Sequence, residues 1–312
     1  MPEKEYRWLP KSDILSLEEM ARLVQTFAHA GVRRVRFTGG EPLLRRELHA
    51  LIRMVTAIVE LEDVALTTNA FLLADQAAGL RAAGLQRLNI SLDTLQRERF
   101  HKLTNRDALA QVLHGIQVAH DVGFRGTKID TVMIRGQNDD EIIDLLEYSR
   151  AHDLKLRFIE YMDVGGATQW SESQVLDRDG ILERVESHYG AVEALEPKDP
   201  SAPARIYRVS GGLEFGIIAS TSTPFCGECD RSRVAADGTW YSCLYAHHGV
   251  SLRDLLRDGR NDESLAEAIA DLWRDRSDRG AEDRKAQEQR GPAIDLDDLL
   301  ADPRLEMHTR GG

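Results

Sequence analysis

The feature that most limits the fold is a regular alternation of short apolar segments and longer amphipathic segments through the first half of the chain. The apolar segments, which predict strands, cover residues 32–38, 64–68, 87–93, 127–134 and 154–162. Ser16 and Glu19 have the spacing of a capping box that opens the helix before the first strand, and Gly31 is a stop signal. Strands that alternate with helices predict βα units and a parallel sheet, as either a doubly wound sheet or a barrel.

Polar residues stand at the carboxyl end of nearly every predicted strand. They are Thr38, Thr67, Thr68, Asn69, Ser91, Asp93, Asp130 and Glu160. In parallel α/β folds this end of the sheet carries the active site. The pattern therefore predicts one functional edge.

The character of the sequence changes after Met162, where tryptophan, glycine and proline punctuate shorter elements. We predict a boundary here, with one domain at 1–162 and a second region at 163–312. Residues 204–209 and 213–219 predict antiparallel strands. The mixed-charge segment 273–292 predicts a solvated helix or a mobile linker.

All three cysteines, Cys226, Cys229 and Cys243, lie in one segment with the spacing C-x2-C-x13-C. The spacing suits a hairpin that turns at 236–238 and holds a metal. A structural zinc site needs a fourth ligand, which His247 or His248 would supply. An iron–sulfur cluster with three cysteines instead leaves one iron open to an external ligand. The spacing leaves both interpretations open.

Arginines flank the cysteines and also alternate on the first strand. Arg231 and Arg233 follow the second cysteine, and Arg34 with Arg36 repeats the pattern. Guanidinium groups match phosphate oxygens, so a phosphate clamp is favoured over two solvated cations. The loop 39–42, GGEP, has glycines that permit close backbone approach to a ligand, but it lacks the lysine and hydroxyl residue of a P-loop.

Six stretches, in this order and at these spacings, closely resemble the GTP 3',8-cyclase family of radical S-adenosylmethionine (SAM) enzymes. They are RVRFTGGEPLLRREL, LTTNA, LNISLDTL, KIDTVMIRGQN, LRFIEYM and FCGECDRSRVAADGTWYSC. The resemblance implies an α/β fold, an incomplete (βα)6 barrel with a C-terminal extension. It also implies two [4Fe–4S] clusters, with SAM on the first and GTP against the open iron of the second. The activity implied is radical cyclisation of GTP, the first step of molybdenum cofactor biosynthesis.

The resemblance assigns the site residue by residue. The implied SAM contacts are Gly40, Glu41, Ser91 and Met162. The implied GTP contacts are Arg34, Arg36, Thr67, Lys128, Arg157, Arg231, Ser232 and Arg233. The implied ligands of the second cluster are Cys226, Cys229 and Cys243, and the implied catalytic tail is Arg310, Gly311 and Gly312.

Some positions depart from the family pattern. The first cluster of the family is held by a C-x3-C-x2-C loop, and this chain begins one residue after its third cysteine. The resemblance thus implies that the chain as printed lacks that cluster and the first barrel strand, does not cyclise GTP and is poorly soluble. Ala70 stands where glycine is common, and Asp230 stands where asparagine is common.

Composition also restricts the classes of binding partner that the chain can have. A net charge of −12 argues against a general nucleic-acid binder, and the sequence predicts no membrane span, no signal peptide and a cytoplasmic location. The family implies an electron donor, transfer of the product to cyclic pyranopterin monophosphate synthase, and a homodimer. Two other readings stay open, which are a GTP-binding pseudoenzyme and an interaction protein with a zinc ribbon.

Overall fold

The computed structural model describes residues 9–311. Its first five strands are β1 (Arg34–Phe37), β2 (Asp63–Thr68), β3 (Arg87–Ser91), β4 (Lys128–Met133) and β5 (Lys155–Glu160). They pair in parallel and in sequence order. The alternation in the sequence thus correctly predicted the parallel sheet.

Helices connect these strands and cover one side of the sheet. They are α1 (Leu17–His29), α2 (Leu48–Thr56), α3 (Leu73–Ala82), α4 (Arg97–Thr104), α5 (Leu109–Asp121) and α6 (Ile142–Ala151). The predicted capping box of α1 is present, because the Ser16 hydroxyl accepts from the Glu19 N–H and the Glu19 carboxylate accepts from the Ser16 N–H. Gly31 follows the helix with φ +105°, a conformation that glycine adopts without strain.

The large sheet continues past residue 163. After α7 (Arg178–Tyr189) come β6 (Val192–Ala194), β7 (Arg205–Val209) and β8 (Glu214–Ile218). The predicted antiparallel pairing of β7 and β8 is confirmed, and β8 also pairs in parallel with β5. The described part of the chain therefore forms an eight-stranded mixed sheet in the order β1-β2-β3-β4-β5-β8-β7-β6.

A small antiparallel sheet carries the cysteine segment. Its strands are β9 (Arg233–Val234), β10 (Thr239–Tyr241) and β11 (Val250–Ser251). The predicted hairpin turn at 236–238 is present, and Gly238 occupies it with φ +82° against the backbone of Arg253. The remaining helices are α8 (Leu252–Arg257), α9 (Asp262–Arg274), α10 (Gly280–Lys285), α11 (Leu296–Ala301) and α12 (Met307–Arg310).

A second apolar cluster joins the two halves of the chain. Leu23 of α1 packs with Trp240, Leu256 and Leu265, all nearly inaccessible to solvent. Beside this cluster, Arg22 Nε of α1 donates to the carboxylate of Asp262, the first residue of α9, at 2.7 Å. The first helix is thus fixed against the cysteine-bearing sheet and α9.

Among residues 9–311, no helix combines the length and the apolar character that crossing a bilayer requires.

We expect Leu265→Ala to lower the free energy of unfolding by about 2–5 kcal/mol, because it leaves a cavity in this fully buried cluster. Urea denaturation measures the loss. The matched control is Leu44→Ala, at a position 66% exposed, which should change stability by less than about 0.5 kcal/mol. Equal losses in the two variants would contradict the packing described.

Candidate functional site

The parallel sheet presents an apolar face and a polar face, because successive side chains of a strand point to opposite sides. Leu66 and Phe158, on the apolar face, are fully buried in the main core. The polar face carries two rows of paired residues, which are Thr67, Asn89 and Lys128 in one row, and Ser91, Asp130 and Arg157 in the other. The structure therefore brings four predicted site residues, Thr67, Lys128, Ser91 and Arg157, onto one face.

Arg157 forms a buried ion pair on this face. Its Nε and Nη2 donate to the two carboxylate oxygens of Asp130 at 2.6 and 2.5 Å, and both side chains are largely buried. The Asn89 side-chain amide is oriented so that its nitrogen donates to the Leu88 carbonyl at 3.3 Å and its oxygen accepts from Arg157 Nη2 at 2.6 Å. Arg157 is thus rigidly held, and its charge is already partly compensated.

Within residues 9–311, neither Lys128 nor Arg36 forms a comparable ion pair with a carboxylate. Desolvation and the nearby Arg157, Arg87 and Arg36 lower the pKa of Lys128 to about 8. Desolvation and Arg157 likewise lower the pKa of Arg36, although its side chain remains accessible to solvent. The Thr67 hydroxyl is buried and has no hydrogen-bond partner among the described residues. Crowded cations with lowered pKa values mark a place where an anion would be stabilised.

The loop after β1 is organised by Glu41. Its carboxylate accepts from the Leu43 N–H at 3.0 Å, the Thr68 hydroxyl at 2.7 Å and the Asn69 N–H at 2.8 Å. These bonds tie the predicted SAM loop to the end of β2 and leave Gly40 exposed. Ala70, the departure from glycine, takes a left-handed φ of +59°, which costs about 1 kcal/mol in a residue with a Cβ.

Met162, a predicted SAM contact, is followed by a buried carboxylate. Asp163 is inaccessible to solvent and accepts from the Tyr245 hydroxyl, Arg284 Nε and Arg290 Nε, each at 2.9 Å. Although burial alone would raise it, the Arg290 guanidinium holds the pKa of Asp163 below its usual value. Asp163 therefore joins the end of β5 to the cysteine segment.

The prediction that residues 273–292 form a solvated helix or a mobile linker is confirmed only in part, because the segment contains the short helix α10, which has no buried residue, but is also docked through its arginines. Arg284 and Arg290 of this segment bind Asp163, and Arg276 donates to the Cys229 carbonyl at 2.7 Å. Arg290 also lies over the Trp170 ring, 5.1 Å from its centroid. The same arginines that suggested a solvated segment bind it to the rest of the protein.

The three cysteines are free and partly buried. Cys226 begins a single 3-10 turn, Cys226–Glu228, Cys229 follows that turn, and Cys243 lies just past β10. Burial would raise the pKa of Cys229, but hydrogen bonds from Arg276 and from the Arg231 N–H lower it. The Tyr245 N–H donates to Cys243 Sγ at 3.4 Å. The environment of Cys229 thus favours its thiolate, the form that binds metal.

The thiols are not drawn together as a preformed site. Within residues 9–311, no three His, Cys, Asp or Glu side chains are close enough to form a metal-binding group. Both His247 and His248 are exposed, and the structure assembles neither with the cysteines as a fourth ligand.

The predicted phosphate arginines differ in how they are engaged. Arg231 Nη1 donates to the Ser201 carbonyl at 2.7 Å, while Arg231 Nη2 and Arg233 Nε are buried without a hydrogen-bond partner among the described residues. Desolvation lowers the pKa of Arg233 to about 10. Ser232 is exposed, and Arg34 forms ion pairs with Asp199 and Asp230.

The C-terminal segment lies against both parts of the site. Arg310 is 2% exposed, donates from Nε to the Arg304 carbonyl at 2.8 Å, and lies 4.6 Å from the centroid of the Tyr241 ring. A Cβ added to Gly311 would lie 2.6 Å from Thr38 Cγ2, so the tail packs directly on the end of β1. Gly312, also predicted to be catalytic, lies outside the described residues.

Comparison with known proteins agrees with this arrangement. Residues 2–149 match the Radical SAM superfamily model, and residues 154–282 match the Molybdenum Cofactor Synthesis C model. GTP 3',8-cyclase 1 of Mycobacterium tuberculosis is 50% identical over 316 residues, covering 100% of this chain and 88% of the relative. GTP 3',8-cyclase of Staphylococcus aureus is 40% identical, covering 91% of this chain and 84% of the relative.

Solved structures support the fold. Streptococcus suis SuiB, in a crystal structure with the precursor peptide SuiA, superposes with a TM-score of 0.60 at 15% identity, over 92% of this chain and 62% of that one. The fold and the matched models define a radical SAM protein with a C-terminal region of the molybdenum cofactor synthesis type. The chain belongs to the GTP 3',8-cyclase family.

Several residues of the site escaped the prediction. Asn89 and Asp130, which hold Arg157, and Asp163, which holds two arginines, were not among the predicted site residues. Asp93, at the end of β3, accepts from the Val132 N–H at 2.8 Å, and burial raises its pKa to about 6. Asp93 and Asp130 stood among the polar strand ends, a signal that was present but too general to choose them.

We expect Asp93→Asn to raise the free energy of unfolding at pH 7 by about 1–3 kcal/mol. The folded pKa of Asp93, about 6, exceeds its ordinary value of 3.8, so the carboxylate destabilises the fold fully above pH 6 and not below pH 3.8. The asparagine oxygen keeps the bond to Val132. Urea denaturation at pH 7 and pH 4 checks this, with exposed Glu62→Gln as the control. A gain that persists at pH 4 would argue against it.

Proposed function

We propose that the site of this chain is of the kind that serves the radical SAM cyclisation of GTP to (8S)-3',8-cyclo-7,8-dihydroguanosine 5'-triphosphate, the first step of molybdenum cofactor biosynthesis. The observation that carries the proposal is the group of uncompensated cations on the polar face of the sheet, centred on Lys128 and Arg36. A triphosphate is the kind of ligand that such crowded cations stabilise.

GTP is held in this proposal by residues from both parts of the chain. Arg36, Lys128 and Arg157 bind from the sheet, with the unpartnered Thr67 hydroxyl as a further donor. Arg34 of β1 also binds, and Arg231, Ser232 and Arg233 bind from the C-terminal part of the chain, where one buried N–H group each of Arg231 and Arg233 has no partner among the described residues. Asp130 keeps Arg157 in one orientation, so this cation needs little reorganisation when substrate arrives.

SAM would be held at the carboxyl ends of β1, β3 and β5 by Gly40, Ser91 and Met162. Gly40 is exposed and carries no side chain, so a ligand can approach its backbone closely. Glu41 fixes the loop through three hydrogen bonds and retains acceptor capacity for an ammonium group. SAM would supply the radical chemistry when bound, with its electron coming from an external donor. The protein residues supply its position.

The three cysteines provide the number and type of ligand that a [4Fe–4S] cluster with one open iron requires, although their thiols are not preassembled. Lowered thiol pKa at Cys229 and an N–H donor to Cys243 Sγ are the conditions that support thiolate ligation. Such a cluster would supply an iron that accepts a substrate atom as its fourth ligand. The tail of Arg310, Gly311 and Gly312 completes the catalytic set, and Gly311 supports this by its contact with Thr38.

The remaining expectations stay predictions. They are an external electron donor, delivery of the product to cyclic pyranopterin monophosphate synthase, a homodimer, a cytoplasmic location, and a domain boundary between residues 162 and 163.

Anaerobic reconstitution of the 312-residue chain should give a brown protein with about four irons per chain, reckoned as one cube of four irons on its three cysteines. Iron and sulfide analysis measures this, and Cys243→Ser should lose most of the iron. His247→Ala is the control and should retain it. A colourless protein that binds one zinc and loses it in His247→Ala would contradict the cluster.

Binding of GTP at pH 8 should take up about half a proton per chain, because Lys128 with a pKa of about 8 is half-protonated when free and becomes protonated beside phosphate. Calorimetry in two buffers of different ionisation enthalpy measures the uptake. Lys128→Met should abolish this contribution, whereas Lys102→Met, at an exposed position on α4, should preserve it. The same uptake in Lys128→Met and in the unaltered protein would refute Lys128 as a phosphate ligand.

A further inference from the structure

The loop between β6 and β7 reaches across to β1. Residues 196–204 of this loop read EPKDPSAPA, and the carboxylate of Asp199 lies 2.6 Å from Arg34 Nη1. Since β1 and β6 stand at opposite ends of the sheet order, this ion pair joins the two ends of the sheet. Arg34 is also one of the cations proposed to bind the phosphates of GTP.

Asp199 is part of a small hydrogen-bonded group. The Ser201 hydroxyl donates to Asp199 Oδ1 at 2.8 Å and lies 2.9 Å from Asp230 Oδ2. Asp230 Oδ2 in turn accepts from Arg34 Nη2 at 3.3 Å. The Arg34 guanidinium thus faces two carboxylates, one from the loop and one from the residue that follows Cys229.

The same loop engages a second proposed phosphate ligand. The Ser201 carbonyl accepts from Arg231 Nη1 at 2.7 Å. Its neighbour Asp199 is kept ionised, because hydrogen bonds from Arg34 and then from Ser201 lower the pKa of Asp199 to about 2. The loop therefore offers acceptor oxygens to two guanidinium groups at any physiological pH.

We propose that Asp199 is an affinity-limiting residue of the substrate site, whose carboxylate occupies the position on Arg34 that a substrate phosphate takes. This inference rests on the proposed function, in which Arg34 binds GTP. A carboxylate and a phosphate present similar oxygens to a guanidinium fork, so one replaces the other. The phosphate must displace Asp199 and with it the loop 196–204.

Geometry makes the exchange feasible. The Arg34 side chain is 55% exposed and that of Asp199 is 35% exposed. Ion pairs at such exposure contribute little to stability and break readily. A triphosphate carries several charges and outcompetes one carboxylate, whereas an uncharged nucleoside does not. Asp199 therefore imposes a fixed competition on every ligand that brings a phosphate to Arg34, and none on an uncharged nucleoside.

The test is a gain of affinity. Asp199→Asn keeps an oxygen for the Ser201 donors and removes the charge that competes for Arg34, so the Kd for GTP should fall roughly two- to five-fold. The Kd for guanosine should stay the same, because guanosine brings no phosphate to Arg34. The control is Glu196→Gln, which removes an exposed charge from the same loop and should leave the Kd for GTP within about 1.5-fold of the original. Calorimetry on the full chain with the reconstituted cluster gives each value.

Inorganic tripolyphosphate is the second probe, because it separates this inference from the identity of the substrate. Asp199→Asn should lower the Kd for tripolyphosphate by the same factor as the Kd for GTP. In an Arg34→Gln background, the further change Asp199→Asn should no longer alter either Kd. If Asp199→Asn binds tripolyphosphate more tightly but the protein does not bind GTP at all, the proposed substrate is overturned and the role of Asp199 is supported. Unchanged or weaker binding of both probes in Asp199→Asn would overturn the inference, as would equal gains in Glu196→Gln.

Discussion

The in-register parallel pairing of β1 to β5 is the constraint on which the rest of the structure depends. Because side chains alternate along each strand, register alone decides that Phe158 enters the core while Arg157 enters the site. A slip of one residue would exchange the two faces and bury the cations beneath the helices. The tight apolar packing of one face therefore stabilises the unfavourable crowding of cations on the other.

The positive charges of these crowded cations are compensated unevenly, and the uncompensated ones favour binding of a triphosphate in the proposed reaction. Arg157 is neutralised by Asp130, whereas desolvation and the neighbouring Arg157 lower the pKa of both Lys128 and Arg36. A fully neutralised site would have no attraction for a triphosphate, and a fully unbalanced one would oppose folding. The structure lies between these limits, with one rigid ion pair beside two cations that an anion would stabilise.

The sequence predicted the sheet well because strand formation follows local periodicity. All five parallel strands and the capping box at Ser16 were predicted from patterns a few residues long. The docking of segment 273–292 was not, since it depends on Asp163, which lies more than a hundred residues away. Local charge content suggests solvation, and only the three-dimensional fold brings a buried partner to Arg284 and Arg290.

The candidate site was likewise predicted only in part. Resemblance to a family selected Lys128 and Thr67, which lie on the expected face of the sheet. It did not select Asp130 or Asn89, whose task is to orient Arg157, because supporting residues have no motif of their own. Nor did the pairing of Arg34 with Asp199 follow from any pattern, since it requires both ends of the sheet to meet.

The packing of α1 has a consequence for how the chain folds as it is synthesised. Arg22 and Asp262 are 240 residues apart in sequence, and the side of α1 that carries Leu23 and Phe27 packs against α8, α9 and Trp240. Contacts of such separation form slowly, because a long loop must close before they are made. Until the last quarter of the chain has emerged from the ribosome, Leu23 and Phe27 remain open to other molecules. The nascent protein is thus a natural client for chaperones that bind exposed apolar helices.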